Sequence, residues 1–108
     1  MSNKETLLMN EIRIGVADIA VTFRANVGMF QAGDRYVSTG LPKGFPDLFG
    51  FRKSDAKFIA IEIKTAAGRL RKEQADMLKS LREAGALAGV ARSVEEARRL
   101  IIDDTEAL

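Results

Sequence analysis

A chain of 108 residues, 46% hydrophobic and 30% charged, is long enough for one modest core and has the composition of an ordinary globular protein. It contains no cysteine and no histidine, which excludes disulfides, thiolate or imidazole metal sites and the histidine-based triads of serine and cysteine hydrolases. A formal net charge of +2 does not by itself announce a nucleic-acid binder.

Residues from about Asn3 to Ala17 place Leu8, Met9, Ile12 and Val16 at helical spacing, and Ser2 followed by Glu5 forms a capping box at the start. Glu5 also falls on the Leu8/Ile12 stripe, so it is either a capping glutamate or an inward-facing acid. Ile19 to Val27 is rich in β-branched residues and predicts a strand ending in the Asn26-Val27-Gly28 turn signal, with Arg24 either a solvated edge charge or a phosphate contact. Residues 29–43 are less regular. Ala32-Gly33-Asp34-Arg35 predicts a turn and Tyr36-Val37 a short extended piece. Gly40-Leu41-Pro42-Lys43-Gly44 is a loop that either merely turns or brings Lys43 to a phosphate backbone.

Asp47 to Phe51 and Lys57 to Lys64 predict two strands joined by the Arg52-Lys53-Ser54-Asp55 turn. Strand alternation puts Glu62 and Lys64 on one face and Ile61 and Ile63 on the other. Burying a carboxylate and an ammonium among aliphatics costs several kcal/mol, on the order of 3 to 5 for an unpaired partner, so they must pair with each other or with a cation. After Gly68 a helix runs to about Ala84 along Leu70, Met77 or Leu78, and Leu81, with Gly85 as its terminator. Gln74 falls on that buried stripe and needs a partner, for which the Glu62/Lys64 face is a candidate. Ala86 to Ala91 is a short strand, and Ser93 with Glu96 caps a last helix whose inner face is Ala97, Leu100 and Ile101. The strand-helix-strand order over 57–91 predicts a right-handed parallel crossover. The expected fold is α/β, a small mixed sheet flanked by helices in the order αβββαβα, with room for one further short strand.

If Asp47 neighbours Glu62 in that sheet, two carboxylates and a lysine converge, which is the donor set of a hard-cation site of the magnesium or manganese type. Each residue also has a plainer reading. Glu62 and Lys64 suit a surface salt bridge, Asp47 a turn, and Arg69, Arg71 and Lys72 a solvated helix face. The basic residues nonetheless cluster directly after the candidate site, where a local patch suffices to engage phosphates.

Asp47, Glu62 and Lys64 resemble the Asp…Glu-x-Lys core of restriction-endonuclease-like nucleases. Phe23-Arg24-Ala25-Asn26-Val27-Gly28, Gly40 to Leu48, Ile61-Glu62-Ile63-Lys64, Glu73-Gln74 and Gly85 to Ala91, in that order, look like the virus-type replication-repair nuclease (VRR-NUC) domain, here as a stand-alone version spanning 1–108. The resemblance implies a Mg2+- or Mn2+-dependent DNA endonuclease of structure-specific type, acting on Holliday junctions or other branched DNA, and a phage or prophage context. By matching position, Asp47 and Glu62 would hold the metal with the Ile63 carbonyl as a further ligand. Lys64 would position or activate the attacking water, or stabilise charge on the phosphoryl group, and Gln74 would contact Lys64 or the metal's water shell. The family's N-terminal-helix glutamate maps to Glu5, with Glu11 as rival. Arg24, Lys43, Arg69, Arg71 and Lys72 are the candidate DNA contacts.

Two other readings compete: a DNA-binding module of the same fold without catalysis, and a purely structural domain. A homodimer is expected, because cutting a symmetric junction needs paired sites. With no signal peptide, membrane-length apolar span or repeat in view, a cytoplasmic single-domain protein is expected.

Overall fold

A computed structural model describes residues 2–102. The elements run α1 (Asn3–Gly15), β1 (Ala20–Arg24), β2 (Met29–Ala32), β3 (Arg35–Ser38), β4 (Leu48–Arg52), β5 (Phe58–Ile63), α2 (Lys72–Glu83), β6 (Leu87–Ala91) and α3 (Val94–Ile102). The main sheet is four-stranded, in the order β1-β4-β5-β6. β1 pairs antiparallel with β4, β4 antiparallel with β5, and β5 parallel with β6 across the α2 crossover. Among the described residues, no helix is long and apolar enough to cross a membrane.

The alternation of β5 divides the core. Ile59, Ile61 and Ile63 join Met9 and Ile12 of α1, its C-cap Val16, and Ala97 and Ile101 of α3 on one face. Each buried isoleucine contributes about 2 kcal/mol by leaving water. Ala60 faces the other way, onto Leu78 of α2 and Ala88 of β6. Small side chains there let α2 approach the sheet closely, and Glu62 shares the parity of Ala60.

The predicted caps form. Ser2 Oγ accepts the Glu5 N–H at 3.2 Å, and Glu5 Oε1 accepts from Ser2 N at 3.3 Å and Ser2 Oγ at 3.0 Å. Ser93 Oγ accepts the Glu96 N–H at 3.1 Å, and Glu96 Oε1 accepts the Arg92 N–H at 2.7 Å. α1 is tied to α3 through Arg98, which donates to the Gly15 carbonyl at 2.8 Å and to Asp18 Oδ1 at 2.6 Å.

Three local expectations are corrected. The stretch over 29–43 contains a complete hairpin, β2 with β3, which pairs with itself: the expected Ala32–Arg35 turn and extended Tyr36-Val37 are present, and the unexpected part is its first strand, Met29–Ala32. Its side chains are nearly all exposed, so no alternation of burial marks it in the sequence. β1 stops at Arg24 rather than Val27, because the chain leaves the sheet after the Ala25 N–H reaches the Asp47 carbonyl at 2.8 Å. α2 begins at Lys72 rather than directly after Gly68; Arg71 is its N-cap in an extended conformation, and Leu70 lies outside the helix.

Gly50 in β4 is required by close approach. A Cβ built there lies 1.9 Å from the Val21 carbonyl oxygen of β1. Gly50→Ala would force β1 away from β4 and is expected to destabilise the protein by about 3 kcal/mol. Urea unfolding should show this as a lower midpoint at unchanged slope.

Candidate active site

The site is built where β4 starts and β5 ends. The β4–β5 register pairs Leu48 with Ile61, so one step further along the antiparallel ladder Asp47 faces Glu62. Asp47 Oδ2 accepts the Ile63 N–H at 2.9 Å. That bond fixes the carboxylate against the end of β5, while the Asp47 carbonyl holds Ala25 on the other side.

Glu62 is buried, with 2% of its surface exposed. Its carboxyl is pushed up to about 9, first by burial, then by its hydrogen bond to Asp47 and by the charge of Asp47; Lys64 and Arg71 act in the opposite sense. Near neutral pH Glu62 therefore keeps a proton directed at Asp47, since two close carboxylates in a low dielectric do not both ionise readily. This proton stands where a cation would otherwise bring the pair together. The donor set is all oxygen, which fits magnesium or manganese and is poor for softer ions. Asp47 and Glu62 would hold the ion.

Lys64 follows directly after β5, and its backbone N–H continues the ladder to the Ala91 carbonyl at 3.2 Å. It is half-buried and close enough to act on Glu62 electrostatically. The stem runs past Gly68, where an added Cβ would lie 3.2 Å from Lys64 Cδ. The loop behind it is fastened by Arg92, whose guanidinium donates to the carbonyls of Thr65 at 2.6 Å and Gly68 at 2.8 Å. Sequence reasoning missed Arg92, because its partners are main-chain atoms that no side-chain pattern announces.

Gln74 is buried at 6% exposure. Its Oε1 accepts the Arg71 N–H at 2.9 Å, so this oxygen caps α2 and orients Arg71. Arg71, in electrostatic reach of Glu62, also pairs with Glu73 at 3.2 Å, and Lys43 reaches the same Glu73 oxygen at 3.8 Å. Gly44 makes this possible: with φ +94° it lies against α2, where a Cβ would meet the Glu73 carbonyl at 2.6 Å. Lys43 and Arg71, distant in sequence, thus flank one site. Lys72 pairs instead with Asp76 at 2.9 Å, and Arg69 is exposed. Arg24 and Asp47 line one cleft of about 830 Å³ together with Asn26 and the β2–β3 hairpin.

Glu5 is placed differently. Its carboxylate closes the α1 capping box, and among the described residues no three acidic, histidine or cysteine side chains gather as a metal-holding group. It does lie on the Met9/Ile12/Val16 stripe, whereas Glu11 is exposed and off it.

The comparisons agree with this geometry. The family model described as the VRR-NUC domain matches residues 32–95, which include Asp47, Glu62, Lys64 and Gln74 but neither Glu5 nor Arg24. A solved structure titled "VRR_NUC domain" is similar over 94% of this chain and 98% of its own, with a TM-score of 0.65 at 17% identity, a likeness of fold. No curated protein matches. The match spans most of the chain and contains the Asp47–Glu62 pair with the lysine that follows it: the chain belongs to the VRR-NUC domain family, and its fold is of the nuclease type.

Proposed function

We propose that this protein is a divalent-metal-dependent DNA endonuclease that hydrolyses phosphodiester bonds, with branched or otherwise structured DNA as its substrate. The observation that carries the reading is the buried Glu62 carboxyl held against the half-buried Asp47, which accepts the Ile63 N–H at the same strand end, with Lys64 and Arg71 in electrostatic reach. A structural domain has no use for so costly an arrangement, because a hydrophobic pair would be as stable there.

Asp47 and Glu62 would hold magnesium or manganese, with the Ile63 carbonyl at the same strand end as a further oxygen. The ion, when bound, supplies positive charge against the phosphoryl oxygens and a more acidic water. Lys64 places its ammonium beside that centre, orients the attacking water and balances charge on the phosphoryl group. Arg71 and Lys43 hold the phosphate backbone from the α2 side, and Arg24 does so from the β1 side. Gln74 acts through Arg71, whose N–H it fixes. Arg69 and Lys72 extend the positive approach. A homodimer would present paired sites to a junction, and light scattering should return twice the chain mass.

The test is cleavage of a labelled panel comprising a four-way junction, flap, splayed arm, single strand and linear duplex, with magnesium or manganese. Cutting should require the metal and fall by about a thousandfold or more in Asp47→Ala. Cutting without metal, or undiminished in the variant, would overturn the reading. Metal-dependent binding without cutting would favour a DNA-binding module of the same fold.

A further inference from the structure

The β2–β3 hairpin serves no part of the core, yet it carries Met29 at 64%, Phe30 at 52% and Tyr36 at 69% exposure. Such grouped apolar surface on a small chain marks a contact site. The hairpin register sets Phe30 directly opposite Val37, so these two share one face, while Tyr36 pairs with Gln31 on the other. Phe30 and Val37, with Met29, wall the same 830 Å³ cleft that Arg24, Asn26 and Asp47 line. The cleft thus carries the aromatic and aliphatic side chains Phe30, Met29 and Val37, beside Ser38, on the hairpin, and its charged groups Arg24 and Asp47 on the β1–β4 side, beside Ala25 and Val27.

This division matches the two halves of a nucleotide. A nucleotide whose phosphate lay by Arg24 and Asp47 would have the Phe30 ring in the wall of the same cleft for its base. A base in an intact duplex is stacked between neighbours and has no free face to offer, whereas an unpaired base does. We propose that Phe30, backed by Val37, stacks on an unpaired nucleobase of the strand whose phosphate sits at Asp47, so that the hairpin selects DNA already opened at the cut. The inference rests on the nuclease reading and assigns its substrate preference to a specific surface.

The experiment uses the full chain, calcium in place of magnesium for binding, and a splayed-arm DNA with 2-aminopurine in the unpaired segment next to the cut. Wild type should change the 2-aminopurine fluorescence and Phe30→Ala should not. In magnesium, the preference for splayed over fully paired DNA should fall about tenfold in Phe30→Ala. Phe30→Trp should retain both signals, and Tyr36→Ala, on the far face, should behave as wild type. A Phe30→Ala protein with wild-type fluorescence change and preference would overturn the proposal while leaving the nuclease reading intact. A loss of dimer mass in Phe30→Ala without loss of preference would assign the hairpin to a second copy of the chain and overturn it equally. Wild type that neither binds nor cuts any DNA would sink the nuclease reading itself.

Discussion

Lys64→Met should lower metal-dependent DNA cleavage by about a hundredfold or more while leaving the magnesium-induced rise in melting temperature in place. Methionine keeps most of the stem that runs past Gly68 and removes only the ammonium, so the loop held by Arg92 has no reason to move. A charge placed where negative charge develops on a phosphoryl group contributes about 3 to 4 kcal/mol when desolvated, which sets the expected size. Asp47 and Glu62 remain in the variant, so the ion still binds and still stabilises the fold by mass action. Asp47→Asn should differ, losing cleavage and the melting shift together. Single-turnover cleavage and a melt with and without magnesium separate these outcomes. A Lys64→Met protein that cuts at the wild-type rate would remove Lys64 from the site. One that loses the magnesium shift would make Lys64 part of the metal-holding framework instead.

How far this site was legible in the sequence depends on which interactions are periodic. The run Phe58 to Ile63 announces a buried strand, and its alternation alone separates Ile61 and Ile63 from Glu62. That Asp47 meets Glu62 follows only from the register, which depends on the length of the β4–β5 connection. The connection closes through Arg52 N to Lys57 O at 2.9 Å and a left-handed Ala56 with φ 61°, neither of which composition fixes. The role of Gln74 was half legible. Its burial follows from helical spacing, but its oxygen turns to Arg71 because α2 starts at Lys72, and N-cap positions are poorly marked when the cap is an arginine. The hairpin was half legible: its Ala32–Arg35 turn and the extended Tyr36-Val37 could be read, but not its first strand Met29–Ala32, because the side chains are exposed and amphipathic alternation reports only on strands with a buried face. Arg92 and the Lys43–Glu73–Arg71 group join segments far apart in the chain, and only the folded backbone shows them.

The melting temperature of the metal-free protein should fall as pH rises from about 5 towards about 9, and this fall should vanish in Glu62→Gln. Glu62 titrates at about 9 in the folded protein against 4.5 for an ordinary glutamate, because burial and Asp47 both disfavour its charge. Below the lower value both folded and unfolded chains are protonated there, and the group contributes no slope. Between the two values the folded chain binds the proton and the unfolded chain does not, so stability falls with rising pH. Other shifted groups act outside this window. Arg52 holds Asp55 down to about 2, and Arg98 lowers Asp18, so their contributions are lost only as the solution becomes strongly acidic. Asp76 raises Lys72, whose contribution is lost only above the ordinary lysine range. Magnesium should reverse the trend, since an ion held by Asp47 and Glu62 must displace the proton between them, and its stabilisation should be larger at pH 8.5 than at pH 6. Scanning calorimetry across pH, with and without magnesium, reads all of this on wild type and Glu62→Gln. A wild-type profile that is flat between pH 5 and 9, or a variant that falls as steeply, would show that Glu62 carries its charge in the folded protein. The Asp47–Glu62 pair would then be open to solvent, without the buried proton that a divalent ion is expected to replace.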